Sequence, residues 1–396
     1  MKDKLVKSAY LLDGTGNSPI KEGWMLLHGD RIEKTGGPRE LQSVPAEVEV
    51  IDFSKSWLLP GFIDSHTHLS IVPGQGDQLG QLRLPPAPAA LRSIPNLYRN
   101  LLSGVTTARI MGQEHYVDVD IKSAIASGLI QGPRLLVSGI GLVASNGHGV
   151  GLTTADGEQE VRRLARKNLA RGVDFLKLFV TGGVSSSGTS IDFCSYTPEE
   201  VAAVVEEAER AGTYVAAHAH GGRGVDICIE KGVRCIEHGA FLSPEQLEEI
   251  QAKDMWVVGT FSILYHAEGI EKSDFAVPAI REKVLKAREV VSRNYEKIIA
   301  SGVNLAVGTD SMHGLIAYEL ECLVRFGATP MQAILAATRE AAKACRIEDQ
   351  AGTLESGKLA DFVVVGADPI ADIRALNRVE AVFKEGERVL IGPDRS

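Results

Sequence analysis

The sequence predicts an α/β protein, a (β/α)8 TIM-type barrel with a small β-sandwich domain formed from both chain termini. Three observations carry this expectation. Across residues 59–349, apolar runs alternate with helix-patterned segments, the mark of βα units and a parallel sheet. Residues 1–58 and 350–396 show instead short strand patterns broken by turn residues every eight to twelve positions. Histidines, one lysine and one aspartate fall at or near the ends of the apolar runs, where barrels of this kind place their chemistry.

At 396 residues, the chain has room for a barrel of about 250 residues and a smaller companion. Neither terminal segment is long enough for a comfortable core of its own, so the two are expected to pair into one composite β domain. A content of 44% apolar and 23% charged residues is that of an ordinary globular protein. The net charge of −9 argues against a partner such as nucleic acid or an anionic membrane, both of which need a basic footprint. No apolar run reaches the roughly 18 residues needed to span a bilayer. The first residues turn straight into a strand pattern with no apolar leader, so the cytoplasm is the expected address. The five scattered cysteines are expected to be reduced thiols.

In chain order, strands are expected at 4–11, 24–28, 31–34 and 48–53, separated by turns such as Asp13-Gly14 and Gly29-Asp30. The barrel runs follow at 61–68, 105–111, 134–138, 175–180, 214–220, 234–238, 256–261 and 304–310. Thr197, Ser243 and Thr329, each followed by proline, mark helix starts, and the first two form capping-box sequences with Glu200 and Gln246. Gly212 and Gly302 are expected helix stops. The proline-rich stretch 84–90 and the glycine- and serine-rich stretch 182–190 are expected as loops over the barrel mouth. The strand texture returns at 357–366, 379–384 and 388–391.

His66 and His68 close the first run two residues apart, so on one strand face both rings point inward. Imidazole suits zinc and similar metals. Lys177 shares its face with Phe175 and Phe179, while Leu176 and Leu178 face the outer helices. A lysine inside a barrel is costly unless it is paired or chemically altered. It is read either as a buried ion pair or as a neutral amine that captures carbon dioxide to become an anionic carbamate. His218 and His220 again lie two apart, His238 ends the sixth run, and Asp310 ends the eighth. Small Ala306 and Gly308 on the inward face before Asp310 are expected to leave room for a metal. Any one of these residues alone could be a satisfied core residue; their joint placement on five strands points to a metal site.

Those residues make the chain resemble the amidohydrolase superfamily over almost its whole length. The resemblance rests on Leu58-Leu-Pro-Gly-Phe-Ile-Asp-Ser-His-Thr-His and on Gly357-Lys-Leu-Ala-Asp-Phe-Val-Val-Val. Within that superfamily it is most similar to the branch of prolidase-like dipeptidases and imidazolonepropionase-related proteins. Here the carriers are Leu102-Ser-Gly-Val-Thr-Thr-Ala-Arg, Gly132-Pro-Arg, Gly147-His-Gly, Lys177, His218-Ala-His-Gly and Ile236-Glu-His-Gly. The resemblance implies that His66, His68, Lys177, His218, His238 and Asp310 hold two divalent metal ions, zinc by expectation, with Lys177 as N6-carboxylysine. Where such proteins usually place an acidic residue after Arg109, this chain has Ile110, which removes one hydrogen-bonding acid from behind the site. The lysine on the fourth strand, and glycines after the fifth-strand histidines, disfavour a deaminase.

The expected reaction is hydrolysis of an amide-type C–N bond in a small molecule, foremost a dipeptide or N-acyl amino acid. A carbamate, urea or lactam is the alternative substrate; a non-catalytic homologue should show gaps in the ligand set. A metal-bridging hydroxide is the expected nucleophile, with Asp310 as the proton shuttle. His220 and His148 are candidates to steady the oxyanion or orient substrate. Arg223, beyond the fifth run, is the candidate reader of a substrate carboxylate, and Tyr265 a further pocket candidate. A homo-oligomer is compatible with the sequence, which does not specify one.

Overall fold

The computed structural model describes residues 3–41, 47–149, 151–185, 188–272 and 274–389. Strands from the two ends of the chain join in one eight-stranded sheet. Its order runs Glu387–Arg388, Val379–Lys384, Phe362–Val365, Glu49–Pro60, Lys4–Leu11, Trp24–His28 and Arg31–Gly36, with Ile20–Lys21 beside Lys4–Leu11. The two ends meet where Phe362–Val365 runs antiparallel to residues 57–60, with Phe362 opposite Pro60 and Val365 opposite Trp57. Alternation along these strands turns Val6, Met25, Leu27, Leu58, Phe362, Val364 and Phe383 into one buried cluster. Phe362 and Phe383 stack with ring centroids 4.3 Å apart, each burial contributing roughly 1.5–3 kcal/mol. Of the run expected at 388–391, residues 390 and 391 lie outside the described residues.

Each of the eight expected apolar runs overlaps a strand. The strands are β1 (Phe62–Thr67), β2 (Val105–Ile110), β3 (Arg134–Val137), β4 (Leu176–Phe179), β5 (Val215–Gly221), β6 (Cys235–Phe241), β7 (Trp256–Gly259) and β8 (Asn304–Val307), with β5 and β6 extending past the expected ends. β1–β3 pair in parallel in one sheet and β4–β8 in parallel in another, always with chain neighbours adjacent. The unexpected two-residue strand Leu142–Val143 lies at the free edge of β4. A bond from Asp174 N to Val137 O (2.8 Å) links the β3 end to the approach to β4, and Asp310 N donates to His66 O (2.8 Å), linking the chain beyond β8 to β1. Ile63, Leu136, Phe175, Ala216, Cys235, Val258 and Ala306, drawn from around these strands, meet in one buried cluster. Leu176 and Leu178 belong to a different cluster with the helices, as the two-residue alternation requires.

The helices α1 (Pro86–Leu102), α2 (Val117–Ala126), α3 (Gly157–Ala170), α4 (Pro198–Arg210), α5 (Gly222–Lys231) and α6 (Pro244–Ala252) intervene in turn, followed by α7 (Ser262–Tyr265), α8 (Pro278–Ser301) and α9 (Ile316–Arg325). The sequence signals act as expected at α4: Thr197 Oγ1 accepts from Glu200 N (3.3 Å), and Glu200 Oε2 accepts from Thr197 N (2.7 Å). Ser243 and Thr329 cap in the same reciprocal way. Gly302 ends α8 at φ +73°, which costs glycine little. The proline-rich stretch 84–90 is not a loop throughout. Pro86 opens α1, because proline's missing N–H is not needed in a first helical turn.

Candidate metal centre

Four of the ligand candidates follow strand alternation; the other two, His238 and Asp310, are set by left-handed backbone. β1 delivers His66, with His68 just beyond it; β4 delivers Lys177; β5 delivers His218 and His220. His238 lies on β6, yet breaks its alternation. Cys235 and Glu237 share the inner face, so His238 would point outward, but a φ of +72° turns it inward beside its neighbour. Tyr295 Oη donates to His238 O (2.5 Å), and His238 Nδ1 pairs with Thr260 Oγ1 (2.7 Å). Asp310 lies beyond β8 at φ +46°, its amide fixed on His66 O. The room expected beside Gly308 is filled: a Cβ there would lie 2.3 Å from His66 N, so glycine admits the β1 backbone.

His66, His68, His148, His218, His220, His238 and Asp310 line one cavity of about 50 Å³, with Gln78, Ser185 and Thr260; Lys177 is not in its lining. Donor atoms of His66, His238 and Asp310 all lie within 4.8 Å of one another. Asp310 Oδ1 stands 3.5 Å from His66 Nε2 and 3.6 Å from His68 Nε2. The ring centroids of His218 and His238 are 4.6 Å apart, and those of His148 and His218 are 4.5 Å apart.

Hydrogen bonds choose the nitrogen that each ring offers. His66 Nδ1 donates to Glu237 Oε2 (2.7 Å) and His68 Nδ1 to Gly112 O (3.3 Å), since carboxylates and carbonyls only accept. Both rings therefore present a bare Nε2. His218 is the reverse: its Nε2 donates to Gly182 O (3.0 Å), which leaves Nδ1 as the lone pair. Burial, reinforced by neighbouring cationic groups, pushes His68, His148 and His220 down to about 3, and His218 and His238 well below their usual range. All five are neutral at pH 7, the form that binds metal.

Lys177 is fully buried, and its Nζ has no hydrogen-bond partner among the described residues; it sits 4.8 Å from the Phe179 ring centroid. Burial pulls it down to about 8, against the pull of Glu237 and Asp310 and with Arg109 adding to the drop. Burial would raise Asp310, but the surrounding His66, His68 and Lys177 lower it to about 2. A set of neutral imidazoles, one anionic carboxylate and an orphaned amine fits divalent cations and a carbamate.

Of the outlying candidates, His148 and His220 line the cavity, each with an Nδ1 that has no partner among the described residues. Arg223 does not line it. It lies in the first turn of α5, its side chain 60% exposed and 4.0 Å from Glu230, after Gly222, whose φ of +61° begins the helix. Tyr265 is also outside the lining; its Oη donates to Arg288 O (2.9 Å) and its ring packs 5.8 Å from Phe326. The sequence reading passed over Glu237 and Arg109, a buried pair 2.7 Å apart behind His66, and over Thr260 and Tyr295 behind His238. Gln78, Leu79, Val184, Ile263, Leu264 and Val291 form much of the remaining wall.

The amidohydrolase family model matches residues 57–389, and the chain belongs to that family. It is a hydrolase of a family that acts on C–N bonds. Ochratoxinase of Aspergillus niger is 31% identical over 99% of this chain and 87% of its own. Imidazolonepropionase of Aromatoleum aromaticum is 26% identical, covering 94% of this chain and 92% of its own. A Xaa-Pro dipeptidase solved with bound methionine in its active site superposes with a TM-score of 0.90 at 30% identity, covering 98% of this chain and 100% of the other.

Proposed function

We propose that the chain is a binuclear-metal amidohydrolase cleaving the amide bond of dipeptides or N-acyl amino acids, and that it acts in the cytoplasm. In this reading the two parallel sheets form one closed (β/α)8 barrel over residues 59–349. The terminal segments 1–58 and 350–396 form a sandwich-like companion domain. The observation that carries the proposal is the convergence of His66, His238 and Asp310 donor atoms, with a buried Lys177 Nζ that has no partner among the described residues. His66, His68, Lys177, His218, His238 and Asp310 would hold two divalent ions, foremost zinc, with Lys177 as its carboxylated form. Such ions, when bound, polarise a carbonyl and lower the pKa of water.

The chain's own residues supply the rest. Asp310 is anionic at neutral pH and is assigned the proton taken from water and handed to the leaving nitrogen. His148 and His220, kept neutral by burial, are assigned to the negative charge that develops on the substrate oxygen. The walls of Leu79, Phe179, Val184, Ile263, Leu264 and Val291 favour an apolar side chain next to the scissile bond. The bound methionine of the dipeptidase and the ochratoxinase relative support the same class.

The deciding experiment is a hydrolysis screen of zinc-loaded protein. Its panel holds apolar dipeptides, N-acyl amino acids, aryl carbamates, ureas and lactams. Release of amino acid from the first two classes is expected. Turnover confined to carbamates, ureas or lactams would move the substrate class, and no C–N cleavage with two metals bound would overturn the function.

A further inference from the structure

Behind His66 lies an ion pair that reaches no solvent. Glu237 and Arg109 are both completely buried; Arg109 Nη2 donates to Glu237 Oε1 (2.7 Å), and His66 Nδ1 donates to Glu237 Oε2 (2.7 Å). Arg109 also donates from Nε to Ser65 O (2.6 Å) and from Nη1 toward Cys235 Sγ (3.3 Å), while its guanidinium lies 5.5 Å from the Phe175 ring centroid. One guanidinium thus holds both the backbone preceding His66 and the carboxylate that grips its ring. Burying two charges is expensive, and a packed apolar pair in the same space is often as stable. Stability alone therefore does not account for the arrangement.

We propose that Glu237 and Arg109 are positioning residues that fix the tautomer of His66, holding its proton on Nδ1 and its lone pair on Nε2 toward Asp310. The logic is one of donors and acceptors. Arginine can only donate, so it occupies one carboxylate oxygen and forbids any donor there. The second oxygen is left for His66, and a carboxylate oxygen accepts only Nδ1–H. Without Arg109 the acid could turn or take up a proton; without Glu237 the imidazole could protonate at Nε2, the atom 3.5 Å from Asp310 Oδ1.

This inference rests on the metal-centre reading, but its central measurement needs no metal. The isosteric variant E237Q is the sharpest probe. Its amide oxygen must face Arg109, so its NH2 faces His66 Nδ1, which then has to accept, and the ring proton moves to Nε2. In metal-free protein labelled with 15N-histidine, the His66 nitrogen signals are expected to exchange character between wild type and E237Q. Zinc affinity is expected to fall about 10–100-fold. In R109M/E237Q the amide is free to turn its oxygen to His66, so Nδ1–H and most of the affinity should return. A protonated Nδ1 and wild-type zinc affinity in E237Q, or no recovery in the double variant, would overturn the assignment. If E237Q does not fold, R109M/E237Q is compared with R109M/E237L, which keeps no acceptor; equal tautomers and equal zinc affinity would then overturn it. Wild-type protein that binds no divalent ion would remove the metal reading, and the metal-free spectra would still decide the tautomer.

Discussion

Asp310 Oδ1 stands 3.5 Å from His66 Nε2, and the backbone amide of Asp310 donates to the carbonyl of that same histidine. The carboxylate is thereby fixed in space by a bond that does not depend on its own charge. Asp310→Asn is expected to keep the fold and most of the metal and to lose at least about 100-fold in kcat, with KM changing much less. Metal content and steady-state kinetics on one preparation check this; near-normal kcat with full metal would move the shuttle elsewhere, with His220 tested next.

Lys177 has a buried amine without a partner among the described residues, which the proposed carbamate would satisfy. Lys177→Ala is expected to reduce the metal content from about two ions per chain and to abolish turnover. Wild-type protein given 13C-bicarbonate should show a carbamate carbon signal that the variant lacks. Two ions retained with full activity in the variant would end the binuclear reading.

Tyr295 holds the carbonyl of a histidine whose backbone is left-handed. Removing the hydroxyl in Tyr295→Phe keeps the ring's edge contact with Phe261, at 4.5 Å, and deletes one hydrogen bond worth about 0.5–1.5 kcal/mol. Stability in urea should fall by that amount and zinc affinity with it. An unchanged zinc affinity would show that His238 does not need this support.

Asp118 contributes its own share of the pH dependence, beside Asp64 and Glu319, which burial raises to about 6 and about 8. Burial pushes its carboxyl up to about 7; only Oδ2 is satisfied, by Gly139 N (2.8 Å), and Oδ1 has no partner among the described residues. Between the usual carboxyl value of 3.8 and about 7 the folded form keeps a proton that the unfolded form releases. Stability is therefore full below pH 3.8 and falls as pH rises to about 7, by something of order 2–4 kcal/mol. Asp118→Asn should remove this share of the slope and be the more stable protein at pH 8. Identical slopes in urea titrations across this range would refute it.

Much of this was legible in the sequence because barrel strands write themselves as apolar runs, and because a ligand every other residue, as in His66 and His68, survives small errors of register. The capping boxes at Thr197 and Ser243 were legible for the same local reason. What was not legible depended on backbone direction. Alternation places Glu237 and His238 on opposite faces, and only the positive φ at His238 brings both inward. Arg223 follows the fifth strand closely, yet after Gly222 it sits on the exterior in the first turn of α5, where it meets Glu230. Leu142–Val143 is too short to carry any period. With Arg223 outside the cavity, Arg223→Met is expected to change KM for acidic-ended substrates by less than about twofold, against the order of tenfold that losing a contact worth 1.4 kcal/mol would bring.

The strand Glu49–Pro60 gives way to β1 with Gly61 alone between them, and no turn intervenes. Gly61 N is tied to Asp361 O at 2.9 Å, and a Cβ at Gly61 would meet Thr106 Oγ1 at 2.3 Å, so there is no slack at the junction. Asp361 itself grips Arg134 at the foot of β3 (2.8 Å). The terminal sheet and the imidazoles of His66 and His68 are therefore in mechanical series: one continuous extended segment is rooted in the sheet at one end and carries the two rings at the other. Tension or slippage in the peripheral sheet arrives at the proposed metal site as a displacement of its first two rings, which makes a seemingly remote β structure the anchor against which those rings are held.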